Sequence, residues 1–281
     1  MPQAQIASIL LGLATAGCWG AGDFCGGLAS KRSSVYSVVI GSQLVGLFLL
    51  IILALAVGEH VPSLTHMLWG VAAGVFGTLG LMALYRALAI GKMSLVAPVA
   101  AVVTAAVPVI VSLFTDGLPQ PIQLFGFGLA IAGIWMAASD QSTTHFNLRD
   151  LQLPVLAGIG FGLLLVSINQ ASEKTVFLPL VVARFATLCI MLILASQQQQ
   201  LHQLRSMRWP IIALAGIFDT GANVLFGFAG QVGRLDIVAV LASLYQVSTV
   251  LLAWVILKER ISRRQGIGML VILAAIVLIT A

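Results

Sequence analysis

Apolar residues run along the chain in long, unbroken blocks, and short polar clusters separate them. Blocks of this length and continuity belong to helices that cross a bilayer, for which about 20 mostly apolar residues suffice. The apolar positions do not alternate with polar ones, which excludes an outer-membrane barrel. Ten spans are predicted: Ile6 to Ala29, Val35 to Val57, Met67 to Ile90, Ser94 to Phe114, Ile122 to Ala138, Leu153 to Ala171, Phe177 to Ser196, Trp209 to Val232, Ile237 to Leu257 and Gln265 to Thr280. The longest polar break at mid-chain, Ser139 to Asp150, leaves five spans on each side. The expected fold is all-α and integral to the membrane, with residues 1–139 and 153–281 as two domains and 140–152 as their linker.

The two halves are copies of one another. Sliding the second over the first by 142 positions pairs Gly20 with Gly162, Gly74 with Gly216, Phe76 with Phe218, Thr78 with Thr220, Gln123 with Gln265 and Gly126 with Gly268, without a gap. Alanine and glycine matches are cheap in apolar sequence, but one constant offset across five spans marks an internal repeat. Five is odd, so the second repeat enters the membrane upside down relative to the first. Inverted repeats of this kind build secondary transporters, with a site near the midplane between the halves.

Composition agrees and narrows the choice. The chain is 60% hydrophobic and 8% charged, against roughly 25% charged in soluble domains. Its net charge of +5 does not indicate nucleic acid, because the basic residues stand singly or in small groups at the ends of apolar blocks. Lys31, Arg32, Lys92, Arg149, Arg205, Arg208, Lys258, Arg260, Arg263 and Arg264 flank odd-numbered loops, whereas Lys174 and Arg234 flank even ones. That asymmetry predicts odd loops in the cytoplasm and both termini outside, in the plasma membrane, the inner membrane of a bacterium. Ala14-Thr15-Ala16 imitates a signal-peptidase site, but no Lys or Arg precedes the run and the apolar character continues past it, so a retained first span is expected. The three cysteines have neither a disulfide framework nor metal-ligand spacing, and no metal or cofactor is expected.

Several stretches resemble the drug/metabolite transporter superfamily, specifically its two-repeat branch with a pair of EamA domains. They are "CWGAGDF" in the first span, "GLMALYRALAIGKMSLVAPVAAVVTAAVPVIVSLF" from Gly80 to Phe114, and "SLYQVSTVLLAWVILKERISRRQGIGMLVILAAIVLI" from Ser243 to Ile279. The closing motif, with Glu259 and Gln265-Gly266, is the most specific part. The first repeat departs from it, reading Asp116-Gly117 where the second has Lys258-Glu259. The resemblance implies ten helices, a central cavity between the repeats, and export or exchange of small metabolites.

Four ionisable residues lie inside spans: Asp23, Arg86, Arg184 and Asp219. Each costs about 2.5 to 3.5 kcal/mol on insertion unless it is paired or wetted. For Asp219 and Asp23 the functional reading is proton coupling or binding of a substrate amine, and the alternative is a structural hydrogen bond to a neighbouring helix. Asp219, nearer the centre of its span, ranks first. Arg184 needs an anion, either a substrate carboxylate or one of these aspartates, whereas Arg86 lies close enough to the end of its span to snorkel. Thr78, Tyr85, Asn169, Asn223, Tyr245 and Gln246 supply neutral polar groups near these positions, for binding or for bonds between helices. Trp19, one turn before Asp23, either stacks on a substrate cation or packs. Pro98 and Pro108 are candidate helix breaks in the fourth span.

The expected protein is therefore a secondary transporter that moves small amino-acid-like or drug-like solutes by alternating access, with proton-linked export as the working direction. Its partners would be a small-molecule substrate, protons and the lipid bilayer, not nucleic acid. The rivals are an integral-membrane enzyme acting on lipid or isoprenoid phosphates, and a passive facilitator. The enzyme would need Asp, His or Lys residues concentrated at one membrane face, whereas Asp23 and Asp219 are far apart in sequence.

Overall fold

Each apolar block satisfies its backbone within itself, as hydrocarbon requires, and so becomes a helix. The computed structural model describes residues 2–91, 93–115, 121–138, 151–172, 174–200, 209–232, 238, 241–242, 244–258 and 262–279. Among these it contains ten helices: α1 (Pro2–Ser30), α2 (Val35–Val57), α3 (Leu64–Ile90), α4 (Met93–Thr115), α5 (Pro121–Ala138), α6 (Gln152–Ala171), α7 (Phe177–Gln197), α8 (Trp209–Val232), α9 (Tyr245–Leu257) and α10 (Arg263–Ile279). Six of them, α1 to α3 and α6 to α8, are long and apolar enough to cross a bilayer, and α4, α5, α9 and α10 each contain a shorter apolar stretch.

The helices face the membrane with bulk and each other with small residues. Phe48, Ile52, Leu55, Phe185, Ile193 and Trp254 lie on the exposed surface, while Ala73, Ala157, Ala215, Ala222 and Ala229 are buried. Lipid is as apolar as a leucine side chain, so helix association rests on close packing of small residues and on hydrogen bonds between helices. Glycine makes the closest crossings. A Cβ at Gly74 would collide with the Ala183 carbonyl of α7, and one at Gly216 with the Ser42 carbonyl of α2.

These two glycines are repeat partners, and the contacts that they make are partners too. The extensive pairs α1–α8 and α3–α6 exchange under the repeat, as do α3–α7 and α2–α8, or α4–α6 and α1–α9. The pairs α2–α7 and α5–α10 map onto themselves. All of them join one repeat to the other, so the interface between the copies is the core of the protein.

α4 is helical through Pro98 and Pro108, as a packed kink allows: each proline deletes one N–H from the ladder, and the surrounding bonds hold the helix. In the other copy Val238, Leu241 and Ala242 are helical, Leu244 lies in a turn with its N–H donating to the Leu241 carbonyl (3.1 Å), and α9 begins at Tyr245. Asp116, Gly117 and Glu259 lie outside the described residues, as do the side chains of Gln246, Pro98 and Pro108.

On the even-loop face one side chain ties the copies together. α2 ends at Gly58, whose φ of 66° closes the helix with N–H bonds to the Ala54 and Leu55 carbonyls. That turn aims Glu59 at the start of α7, which lacks a side-chain cap of its own. The Glu59 carboxylate accepts from the N–H groups of Val176 (2.7 Å), Phe177 (3.1 Å) and Leu178 (2.6 Å). A carboxylate at a helix N-terminus is favourably placed by both hydrogen bonds and dipole.

Candidate functional site

The site forms where α1 and α8 cross. Gly22 of α1 lies so close to α8 that a Cβ there would sit 3.2 Å from the Asp219 nitrogen. This crossing brings Asp23 and Asp219, far apart in sequence, to the walls of one cavity. Trp19 of α1, Thr104 of α4, Phe161 and Leu164 of α6, and Tyr245 of α9 complete its lining. Both repeats contribute, as a site between inverted copies requires. The space open to water centres is about 40 Å³, room for a few waters at about 10 to 15 Å³ each.

Phe161 and Leu164 separate this chamber from a second, of about 30 Å³, lined by Gln43 of α2, Gly74 and Gly77 of α3, and Arg184 and Thr187 of α7. Asp219 and Asn223 of α8 also line the second chamber. Asp219 thus stands between the two. Its Oδ2 lies 2.6 Å from Arg184 Nη1, and the same nitrogen donates to Gln43 Oε1 at 2.6 Å. Asn223 Nδ2 donates to the Asp219 carbonyl at 2.6 Å and to Oδ1 at 3.3 Å. The cation is held among three helices: α7 carries it, α8 neutralises it, and α2 solvates it. Gly46 makes the space, because a Cβ there would strike the Thr220 hydroxyl and come within 3.3 Å of Arg184 Nε.

Asp23 is held differently. It is 9% exposed and lines the first chamber. No cation and no hydrogen-bond donor among the described residues pairs with its carboxylate. Trp19, one turn earlier, packs at 5.5 Å from Phe226 and edge-on at 6.2 Å from Tyr245. The Tyr245 hydroxyl is buried, within hydrogen-bonding reach of Thr104. Two carboxyl groups and one guanidinium therefore share this region, so that full ionisation would leave one negative charge without a partner.

The remaining predicted residues divide. Tyr85 is fully buried against Gly26, with its ring where a Cβ of that glycine would be. Thr78 donates back to the Gly74 carbonyl of its own helix at 2.6 Å, a packing use. Asn169 lies away from the carboxylates, in a cavity of about 270 Å³ near the even-loop face with Ser172, Phe226 and Gln231. Arg86 is exposed. Gln43, Thr104, Phe161 and Leu164 were not anticipated. Gln43 carried a signal, since an amide in the middle of an otherwise apolar span needs a partner as much as a charge does. The others carried none, because an apolar residue in a spanning helix gives no hint of whether it faces lipid or a cavity.

Ten helices packed across an inverted repeat around an aromatic-lined chamber that holds two carboxyl groups define a multi-pass integral membrane protein of the transporter type. The chain belongs to the EamA-like transporter family, whose model matches residues 6–139 and again 151–281. A search of curated proteins gives no match. One solved crystal structure, described only as that of a protein, superposes with a TM-score of 0.68 over 96% of this chain and 95% of its own, at 15% identity. That likeness extends over the whole fold.

Proposed function

We propose that this protein exports small organic metabolites across the bacterial inner membrane by proton-linked alternating access, with its odd-numbered loops in the cytoplasm. The supporting observation is the uneven pair of carboxylates at the repeat interface. Asp219 is neutralised in place by Arg184, whereas Asp23 faces a chamber without a partner cation. An unpaired carboxylate in hydrocarbon is costly, and binding a proton or a cationic solute relieves that cost. Exchange of one for the other at a single acid would couple the two flows. Asp219 then serves chiefly to hold α8 against α2 and α7, the helices of the opposite repeat and its own.

Flux in proteoliposomes, scanned over amino acids and amphipathic cations with and without an imposed pH gradient, tests this reading. Solute movement that follows the gradient is expected. Movement indifferent to the gradient would indicate a facilitator, and conversion of a lipid phosphate without solute movement would indicate an enzyme. Impermeant thiol labelling of a Lys31→Cys variant in cells tests the orientation, with protection from the outside expected.

A further inference from the structure

We infer that the Asp23 chamber is a subsite for the ammonium group of a monovalent organic cation, Asp23 holding the charge and the Trp19, Phe161 and Tyr245 rings enclosing it. The inference rests on the transporter reading and adds a substrate class to it.

Charge comes first. Of the two carboxylates at the interface, Asp219 has Arg184 at 2.6 Å, and Asp23, nine-tenths buried, has no counter-ion among the described residues. With Asp23 ionised, an anionic solute would add a second unpaired negative charge and a neutral one would leave the first uncompensated. A proton or a monovalent cation balances the chamber, and the two exclude each other there. Shape comes second. The walls that Asp23 shares are the Trp19 indole, the Tyr245 ring and the Phe161 ring, with Leu164 and Leu165. Aromatic faces attract cations, and the space of about 40 Å³ admits the ammonium head of a solute. The polar atoms that remain are the buried Tyr245 hydroxyl and the Thr104 hydroxyl within hydrogen-bonding reach of it, both of which can accept from an ammonium N–H. A primary ammonium has three donors, and Asp23, Tyr245 and Thr104 are three acceptors on three helices. Arg184 does not compete, because Gln43 and Asp219 hold it on the far side of Phe161 and Leu164.

The test uses the purified full-length protein in detergent and isothermal titration with three probes of matched shape: phenethylamine, 2-phenylethanol and 3-phenylpropionate. Phenethylamine should bind once per chain, and the alcohol and the acid at least about tenfold more weakly, as expected for loss of a charge-assisted hydrogen bond. Asp23→Asn should weaken phenethylamine by a similar factor while leaving the protein monodisperse. Trp19→Leu should weaken it less. Asn169→Leu, in the separate cavity near the even-loop face, should retain binding. Equal affinity for amine and alcohol, or amine binding unchanged in Asp23→Asn, would overturn the inference. The transporter reading fails separately: gradient-driven flux of an anionic or neutral solute in proteoliposomes would preserve it while sinking the cation subsite, and amine binding without any solute flux would do the reverse.

Discussion

Asp219 and Asp23 lie on opposite sides of one helix crossing, and the protein treats them oppositely. Asp219 is built in: Arg184 lies against its carboxylate, Asn223 donates to it, and Gln43 takes up a further guanidinium bond. Asp23 is left open to a chamber of aromatic rings. Both acids are additions to the shared scaffold, since the repeat places Leu165 opposite Asp23 and Gly77 opposite Asp219. The difference teaches that an ionisable residue at mid-membrane has two roles, and that its partners, not its depth, distinguish them.

Substitutions sharpen the contrast. The largest effect is expected at Arg184→Gln, which leaves Asp219 buried and unpaired at a cost of about 3 to 5 kcal/mol, read as loss of folded, monodisperse protein on heating. Arg184→Gln/Asp219→Asn should recover most of that loss, because the pair is removed together. Asp23→Asn should cost nothing or stabilise, as it removes a carboxyl group that has no cationic partner. Should Asp23→Asn prove as damaging as Arg184→Gln, the contrast between the two acids collapses.

Next comes Gly22→Val at the crossing itself. The new side chain meets the Asp219 nitrogen and the Ala215 carbonyl, 3.2 and 3.5 Å from its Cβ, and these are backbone atoms that cannot swing aside. A loss of about 1 to 3 kcal/mol and weakened amine binding are expected together; binding intact at reduced stability would separate the crossing from the chamber. Gln43→Leu removes one bond to Arg184 and should cost about 0.6 to 2 kcal/mol in the same melting assay without altering amine affinity. Glu59→Gln is the smallest, below about 1 kcal/mol, because the amide oxygen still caps α7. Its stability change should be no larger than that of Gln43→Leu, since Glu59 lies outside the apolar spans where the pairing rule operates.

The fold was largely legible. Block length and continuity give the ten helices, and the constant offset gives the inverted pairing that the helix contacts display. Proline in the fourth span allows either a break or a packed kink, and α4 stays helical because one missing donor leaves the rest of the ladder intact; the turn at Leu244 has no proline to announce it. The candidate site was legible as charges and illegible as partners. Asp23, Asp219 and Arg184 were conspicuous because hydrocarbon makes charge expensive, and Arg184 had three possible anions until packing brought it to Asp219. Phe161 and Leu164, which divide the chambers, look in sequence like any lipid-facing residue. Glu59 carries no signal of its role in the sequence, and only the turn at Gly58 reveals what it caps.

The central claim is that the unpaired acid at the repeat interface couples solute movement to protons. Its most direct test is phenethylamine flux in proteoliposomes under an imposed pH gradient, comparing the native chain with Asp23→Asn reconstituted at equal folded yield. Gradient-driven flux in the first and its loss in the second are predicted. Equal gradient-driven flux in both would contradict the account.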